Sequence, residues 1–452
     1  MGFPPVPLFF NFSGYRRAII QRSRPRHKPV LQPLGAYQIR VSMATVANGM
    51  HISHSGQPAA SYPTATTPSI SKFTRSSPVP HLFSSLDLGP VALPNRIAVA
   101  PMCQYSADDG SATDWHLQHL MQLAISRAGL VVVEATAVDP VGRITPDCLG
   151  LYSDANEAAL ARVIAAARKV AAPGTRFGIQ LAHAGRKGSC HTPWDGGRPL
   201  SPGEGAWQTV APSAVPFAEG GPPPAALDAS GLDAVRAAFC QAAIRAARIG
   251  FDVIELHAAH GYLLHEFLSP LSNLRTDAYG GTPEARMRFP LEVARAVREV
   301  VPRNLALGAR ITGTDWAPGG LTPEDAVAFA AALKSAGYDY VCVSGGGAVP
   351  KMQIPLGPGY QVPIAAKVRA ETGIVTRAVG LIVEPAQADA IITSGQADFV
   401  ALARAFLDDP RWVWHAAERL GATIAYPPQY ARISASQWPG AAMARPGVQP
   451  RA

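Results

Sequence analysis

Two imidazoles three positions apart and a phenol two further on, His257, His260 and Tyr262, crowd three hydrogen-bonding groups into one short stretch. They follow an apolar run, Phe251 to Leu256, that reads as a buried strand. At a strand's carboxyl end the backbone becomes irregular, so polar side chains there face whatever fills the mouth of the fold. Two imidazole donors can hold an oxygen on which negative charge develops, and a phenol is a weak acid able to deliver a proton. The bland reading is a pair of core histidines satisfied by backbone carbonyls; the clustering of the three groups weighs against it.

The elements that must position these groups recur along the chain from His81 onward. Apolar runs at Ile97 to Met102, Leu130 to Ala135, Arg176 to His183, Asp252 to His257, Leu305 to Ile311, Tyr338 to Ser344, Ile374 to Gly380 and Asp398 to Arg404 predict eight strands. Helical patterns alternate with them at Asn156 to Val170, Asp233 to Ile249, Glu284 to Val301, Pro323 to Ala336, Pro363 to Thr372, Pro385 to Ser394 and Pro410 to Leu420. Two of these open on Thr-Pro-Glu, and glycines at 250, 337, 373 and 395 punctuate the ends. Eight strand–helix units, with no Gly-x-Gly-x-x-Gly after an early strand, predict an α/β fold of the closed (β/α)8 TIM-barrel type. Between Cys190 and Asp228 the chain carries eight prolines, too many for a crossover helix. This predicts an insertion after strand three, either a lid over the barrel mouth or a surface excursion without a role.

A barrel works at the carboxyl ends of its strands. Those ends offer Ala100-Pro101-Met102-Cys103-Gln104-Tyr105, then Glu134-Ala135, Gln180 to His183 with Gly185-Arg186-Lys187, the His257–Tyr262 cluster, Arg310, Ser344-Gly345-Gly346-Gly347, Gly380 and Ala403-Arg404. Glycines after strands six and seven with an arginine after strand eight would suit a phosphate. Gln180 and Arg310 lie deeper, where an amide and a fixed charge could read a pyrimidine-like edge; Arg310 could equally close a structural ion pair.

Composition narrows the classes. The chain has 452 residues, 48% hydrophobic and 16% charged, enough for a sizeable core. Its net charge of +8 is local: nine of the 40 Lys and Arg precede Asp87, where no acidic residue occurs, leaving 31 basic against 32 acidic. A nucleic-acid surface on the body of the protein is therefore not expected. Five scattered cysteines without a C-x-x-C pair predict a reducing, cytoplasmic setting with no disulfide framework, and no membrane span is expected. Residues 1–80, rich in Pro, Ser, Thr and Arg, read as a disordered basic leader: an organelle transit segment, or an over-long start with Met43 as a later one.

The runs APMCQYSA, VVEATAV, GIQLAHAGRKG, IELHAAHGYLLHEFLSPLSNLRTDAYGG, GPGYQVP and PPQYAR together resemble the Old Yellow Enzyme family of FMN-dependent ene-reductases, in its bacterial-type subgroup with an active-site cysteine. The resemblance covers Leu82 to about Arg432. It implies an FMN-binding barrel domain over 81–438, followed by a flexible tail at 439–452. It also implies FMN contacts from Ala100, Pro101, Met102, Cys103, Ala135, Gln180, Arg310, Gly380, Ala403 and Arg404, and a substrate face of Tyr105, His257, His260 and Tyr262. The substrate implied is an enone or related electron-poor alkene, nitro compounds among them, with NADPH or NADH as hydride donor and no bound metal. Arg432, by the same resemblance, reaches a neighbouring subunit's site in a homodimer or homotetramer. Cys103 is expected to tune the flavin, or else to be a small buried apolar group. Ala403 departs from the glycine common in relatives. Two other classes stay open: a metal-dependent barrel hydrolase using His257, His260 and either His265 or Glu266, and a catalytically silent flavin-binding barrel.

Overall fold

Eight parallel strands close on one another in the computed structural model, which describes residues 79–445. Residues 1–78, nearly all of the expected leader, lie outside the described residues. The barrel strands are β1 (Ile97–Val99), β2 (Leu130–Ala137), β3 (Arg176–Ala182), β4 (Val253–Ala258), β5 (Ala306–Thr312), β6 (Tyr340–Ser344), β7 (Val375–Ala378) and β8 (Phe399–Leu402), each paired in parallel with its sequence neighbours. The β8–β1 pair, Val400 opposite Ile97, closes the ring. All eight strands stand where periodicity put them, but several end early. Pro101 has no N–H to extend β1, and Gly380, at φ +108, lies beyond β7. The residues after them therefore lie on loops at the mouth.

Two apolar layers hold the ring together. Between strands and outer helices, one core runs through Val131, Phe177, Ile254 and Leu307 to helix faces such as Leu160, Phe239, Phe289 and Phe329. Inside the barrel a smaller core stacks Ala98, Val132, Val253, Tyr340 and Phe399 over Leu88, Val91 and Leu93. These last come from an N-terminal hairpin, Leu86–Leu88 with Val91–Leu93, which sequence periodicity did not reveal. Within this interior the Arg377 guanidinium meets Glu255, which also accepts from Tyr340 Oη and Gln180 Nε2, both at 2.8 Å. Both Glu255 carboxylate oxygens thus have partners, while Arg377 Nε and Nη1 have none among the described residues.

Local chemistry sets the helices. Thr282 and Thr322 accept the Ala285 and Asp325 N–H groups as N-caps, and Gly250 and Gly373 close helices at positive φ. The helix Asp114–Ala124 and the short helix Leu263–Leu268 were not anticipated. In the first, His116 and His119 occupy the buried face and disguise the apolar stripe. In the second, all six residues are buried, so no polar face marks it as a helix. The tail carries one turn of helix, Ala441–Ala444. No helix among the described residues is long and apolar enough to cross a membrane.

The insertion after β3 is ordered by two short strands, Val210–Ala211 and Ala225–Ala226, and by turns. It leans on the mouth at two points. Trp194 meets Tyr105 edge-on at 5.7 Å, and the Phe217 ring lies 4.7 Å from Lys187 Nζ. Arg186 fastens it by donating to the Val215 and Ala348 carbonyls.

Candidate active site at the barrel mouth

Among the described residues seven non-glycine residues have positive φ, and five of them, Tyr105, Ser189, His260, Trp316 and Leu381, lie just past the carboxyl ends of barrel strands. Such conformations cost free energy and persist where the surroundings over-determine them, a pattern concentrated at working sites. The tightest case is the turn after β4. His260 at φ +61 is followed by Gly261 at φ +73, where a Cβ would run into the Gly347 carbonyl oxygen. Only glycine fits at 261.

This turn brings the three predicted groups together. His257 packs edge-on against both His260 and Tyr262, with ring centroids 5.1 and 5.0 Å apart. Its Nδ1 accepts the Ala259 N–H at 3.3 Å, which places the ring proton on Nε2, 3.4 Å from His260 Nδ1. On its far side His260 Nε2 lies 2.7 Å from Ser344 Oγ, which Arg310 reaches at 3.3 Å. Lys187 Nζ donates to the His260 and Gly347 carbonyls and sits 5.0 Å from the Tyr262 ring centre. Parallel register sets His257 beside Arg310 on adjoining strands.

Burial governs the charges. It holds both His257 and His260 well below the ordinary imidazole range, Arg310 adding to the effect, so both rings are neutral at pH 7. Burial, with Cys103 and Tyr105 nearby, keeps the Tyr262 phenol protonated. Burial and then Glu134 raise the Cys103 thiol, which argues against a nucleophilic thiolate. Burial also lowers the Lys187 ammonium to about 8.

Around the cluster the mouth opens into a cavity of about 850 Å³. Ala100, Arg310, Gly345, Gly380, Ala403 and Arg404 line it together with His260 and Ser344. Tyr360 and Gln361, from the motif GPGYQVP, line it too, as do Leu381 to Val383, and sequence reasoning attached no role to these side chains. Arg310 makes no ion pair among the described residues and its buried Nε lacks a partner, so the structural ion pair left open above does not form. A flavin mononucleotide suits this donor set: the half-buried Arg310 guanidinium, which has no ion-pair partner among the described residues, the backbone N–H groups of Gly345 and Gly380, and the exposed Arg404 at the rim. Ala135 lines an adjoining hollow of about 230 Å³ with Tyr262 and Cys148. Pro101, Met102 and Cys103 are half-buried along the loop from Ala100. Gln180 is buried with its amide committed to Glu255. Arg432 is not brought here by its own chain: it lies on the turn Pro428–Ile433, whose Gln429 and Tyr430 line a separate groove with Arg127 and Lys169.

Sequence reasoning missed what holds the loop after β1. A bulge at Glu134 interrupts the β2–β3 register and turns its carboxylate toward that loop. There Oε2 accepts the Gln104 N–H at 3.0 Å, while Oε1 lies 3.3 Å from His116 Nε2. The Cys103–Tyr105 segment is thereby tied to a buried histidine–carboxylate pair. The metal-site alternative finds no support in the ligand geometry. His265 faces Gly261 and Asp315, Glu266 faces the Arg186 amide, and no three potential ligands converge among the described residues.

Glu266 gives a pH prediction. Burial raises its carboxyl to about 8, and Oε2 has no partner among the described residues. The folded state then holds a proton that the unfolded chain has lost, so this contribution to stability is full below about 4.5 and disappears as pH rises towards 8. Lys187, lowered to about 8, changes its own contribution only above that window. Between about pH 6.5 and 8, above the range where the buried neutral histidines take up protons on unfolding, Glu266→Gln is expected to make the change in melting temperature with pH less negative; an unaltered slope there would assign it to another group.

Similarity to known proteins agrees with this geometry. Residues 81–422 match the profile of the family described as NADH:flavin oxidoreductase / NADH oxidase. The chain is 44% identical over 353 residues to an NADPH dehydrogenase of Geobacillus thermodenitrificans, a match spanning 78% of this chain and 98% of that one. An NADPH dehydrogenase of Listeria innocua matches at the same identity and coverage. Among solved structures, morphinone reductase superimposes with a TM-score of 0.63 at 31% identity, over 77% of this chain and 92% of that one. A structure of morphinone reductase in complex with tetrahydroNAD aligns with a TM-score of 0.63 at 29% identity, over 82% and 98% of the two chains.

Proposed function

The chain belongs to the NADH:flavin oxidoreductase / NADH oxidase family, that of Old Yellow Enzyme, and from that premise we propose that it reduces the C=C bond of α,β-unsaturated carbonyl compounds, and of nitroalkenes, by alternating half-reactions. It is an FMN- and nicotinamide-dependent oxidoreductase. One observation carries the finer reading: two neutral imidazole nitrogens, 3.4 Å apart, beside a protonated phenol.

An oxygen about 2.9 Å from each of those nitrogens is a normal hydrogen-bond acceptor for both. With Arg310 donating to Ser344 Oγ, the Ser344 proton goes to His260 Nε2 and leaves Nδ1 as a donor. Nε2–H of His257 and Nδ1–H of His260 then converge on one substrate oxygen and draw electron density from the conjugated alkene. FMN held by these residues would supply the hydride chemistry at the β-carbon, with NADPH or NADH as the reductant. The Tyr262 hydroxyl donates its proton to the α-carbon and recovers one from water. Arg310, with no other counter-charge, stabilises negative charge at the deep end of the cavity. Ala100, Gly380, Ala403 and Arg404, which line the cavity, would hold the rest of the cofactor; Pro101, Met102, Cys103, Ala135 and Gln180 would join them on the family resemblance alone, and Tyr105 with Trp194 walls the substrate side.

Steady-state kinetics with NADPH and 2-cyclohexenone test the alternation: double-reciprocal lines are expected to stay parallel as the second substrate varies. Intersecting lines, or attack on the carbonyl in place of the alkene, would refute it. Cys103→Ala is expected to move the flavin midpoint potential by about 20 mV, the equivalent of a contact worth about 1 kcal/mol in a two-electron couple. An unmoved potential leaves Cys103 as packing.

Five free cysteines support a reducing, cytoplasmic location. Arg432, remote from its own cavity, is assigned to a neighbouring subunit's mouth in a homodimer or homotetramer. Light scattering is expected to report such an assembly, and a fully active monomer would contradict it.

A further inference from the structure

His265 and Asp315 form a fully buried pair that takes no part in the chemistry above, yet one of them touches the turn that carries it. His265 lies on the helix Leu263–Leu268, and its Nδ1 accepts the Gly261 N–H at 2.6 Å, with Thr312 Oγ1 3.4 Å away. Thr312 Oγ1 in turn accepts the His260 N–H at 3.3 Å. Because Nδ1 accepts, the ring proton belongs on Nε2, which stands 2.9 Å from Asp315 Oδ1, off the ring's N–H axis. Asp315 is fixed through its other oxygen by the Ser269 hydroxyl at 2.7 Å and the Leu321 N–H at 2.8 Å. One ring nitrogen therefore holds the left-handed Gly261 directly and the left-handed His260 through Thr312. On the facing loop the same polarity recurs: His116 Nδ1 accepts the Thr113 N–H, and its Nε2 faces Glu134.

We propose that His265, oriented by Asp315, is a positioning residue for substrate reduction: its Nδ1 locks the His260–Gly261 turn and so sets the separation of the two clamp imidazoles. The inference rests on the clamp reading given above. Displacing a donor by about an ångström is enough to lose on the order of 100-fold in a preorganised site.

Two substitutions in the flavin-loaded protein separate the ring's two contacts. The amide oxygen of His265→Asn reaches the place of Nδ1, keeping the acceptor for Gly261 while losing Asp315. The longer amide of His265→Gln reaches the place of Nε2, keeping Asp315 while losing Gly261. Two readouts apply: hydrogen exchange of the Gly261 amide, and 4-hydroxybenzaldehyde affinity from its long-wavelength charge-transfer band with the flavin. His265→Gln is expected to speed exchange by roughly 100-fold and weaken the phenol by roughly 10-fold, with His265→Asn within about 3-fold of wild type on both. Equal weakening in the two variants, or wild-type affinity in His265→Gln despite faster exchange, overturns the proposal. If His265→Gln fails to fold, His265→Asn decides alone: retained protection and affinity sustain the role, and their loss ends it. A wild-type protein that binds flavin but gives no charge-transfer band removes the clamp reading instead, and the exchange comparison still tests the lock on the turn.

Discussion

Tyr262→Phe is expected to slow flavin reoxidation by 2-cyclohexenone by roughly 100- to 10,000-fold, the range a positioned general acid contributes, while reduction by NADPH changes by less than about 3-fold. The asymmetry follows from the phenol's place in the site. Burial keeps it protonated, so it is a proton reservoir, and only the alkene half-reaction consumes a proton at carbon. The ring stays, and with it the edge contact to His257 and the Lys187 ammonium 5.0 Å from its centre, so packing is conserved. Stopped-flow absorbance separates the two phases; an equal loss in both would mean that Tyr262 shapes the pocket and does not deliver the proton.

His257→Ala removes one of the two convergent donors. Loss of a single preorganised donor at a developing oxyanion costs about 100- to 1,000-fold in turnover, and alkene reduction in this variant is expected to fall within that range. Binding of 4-hydroxybenzaldehyde should weaken in parallel, seen as loss of its charge-transfer band. His260 is a poorer test, because its ring also meets Ser344 and its backbone forms the left-handed turn. Unchanged phenol affinity in His257→Ala would take that imidazole out of the clamp.

The barrel was legible because its strands are covered on both faces. β2 and β4 are buried at every position, and such near-continuous apolar runs, alternating with capped helices, specify a parallel ring. The mouth residues were legible because side chains at strand ends have few structural tasks. What stayed hidden depends on partners distant in sequence. His265 and Glu266 looked like metal ligands from spacing alone, whereas their contacts are Asp315 and Gly261 for one and the Arg186 amide for the other. Glu134 was one strand-end residue among several with no task attached, and only the bulge in the folded barrel turns it toward Gln104. Arg310 presented the opposite case, since the absence of an ion-pair partner is a property of the folded neighbourhood that no local pattern records. Trp194 sits in a proline-rich insertion, and only the folded loop sets it against Tyr105.

The most direct test of the central claim is an anaerobic titration of the flavin-loaded protein followed in the visible spectrum. One equivalent of NADPH should bleach the flavin bands, and one equivalent of 2-cyclohexenone should restore them with formation of cyclohexanone. Protein that binds no FMN on reconstitution, or whose bleached flavin is untouched by the enone while oxygen restores it, would contradict the account.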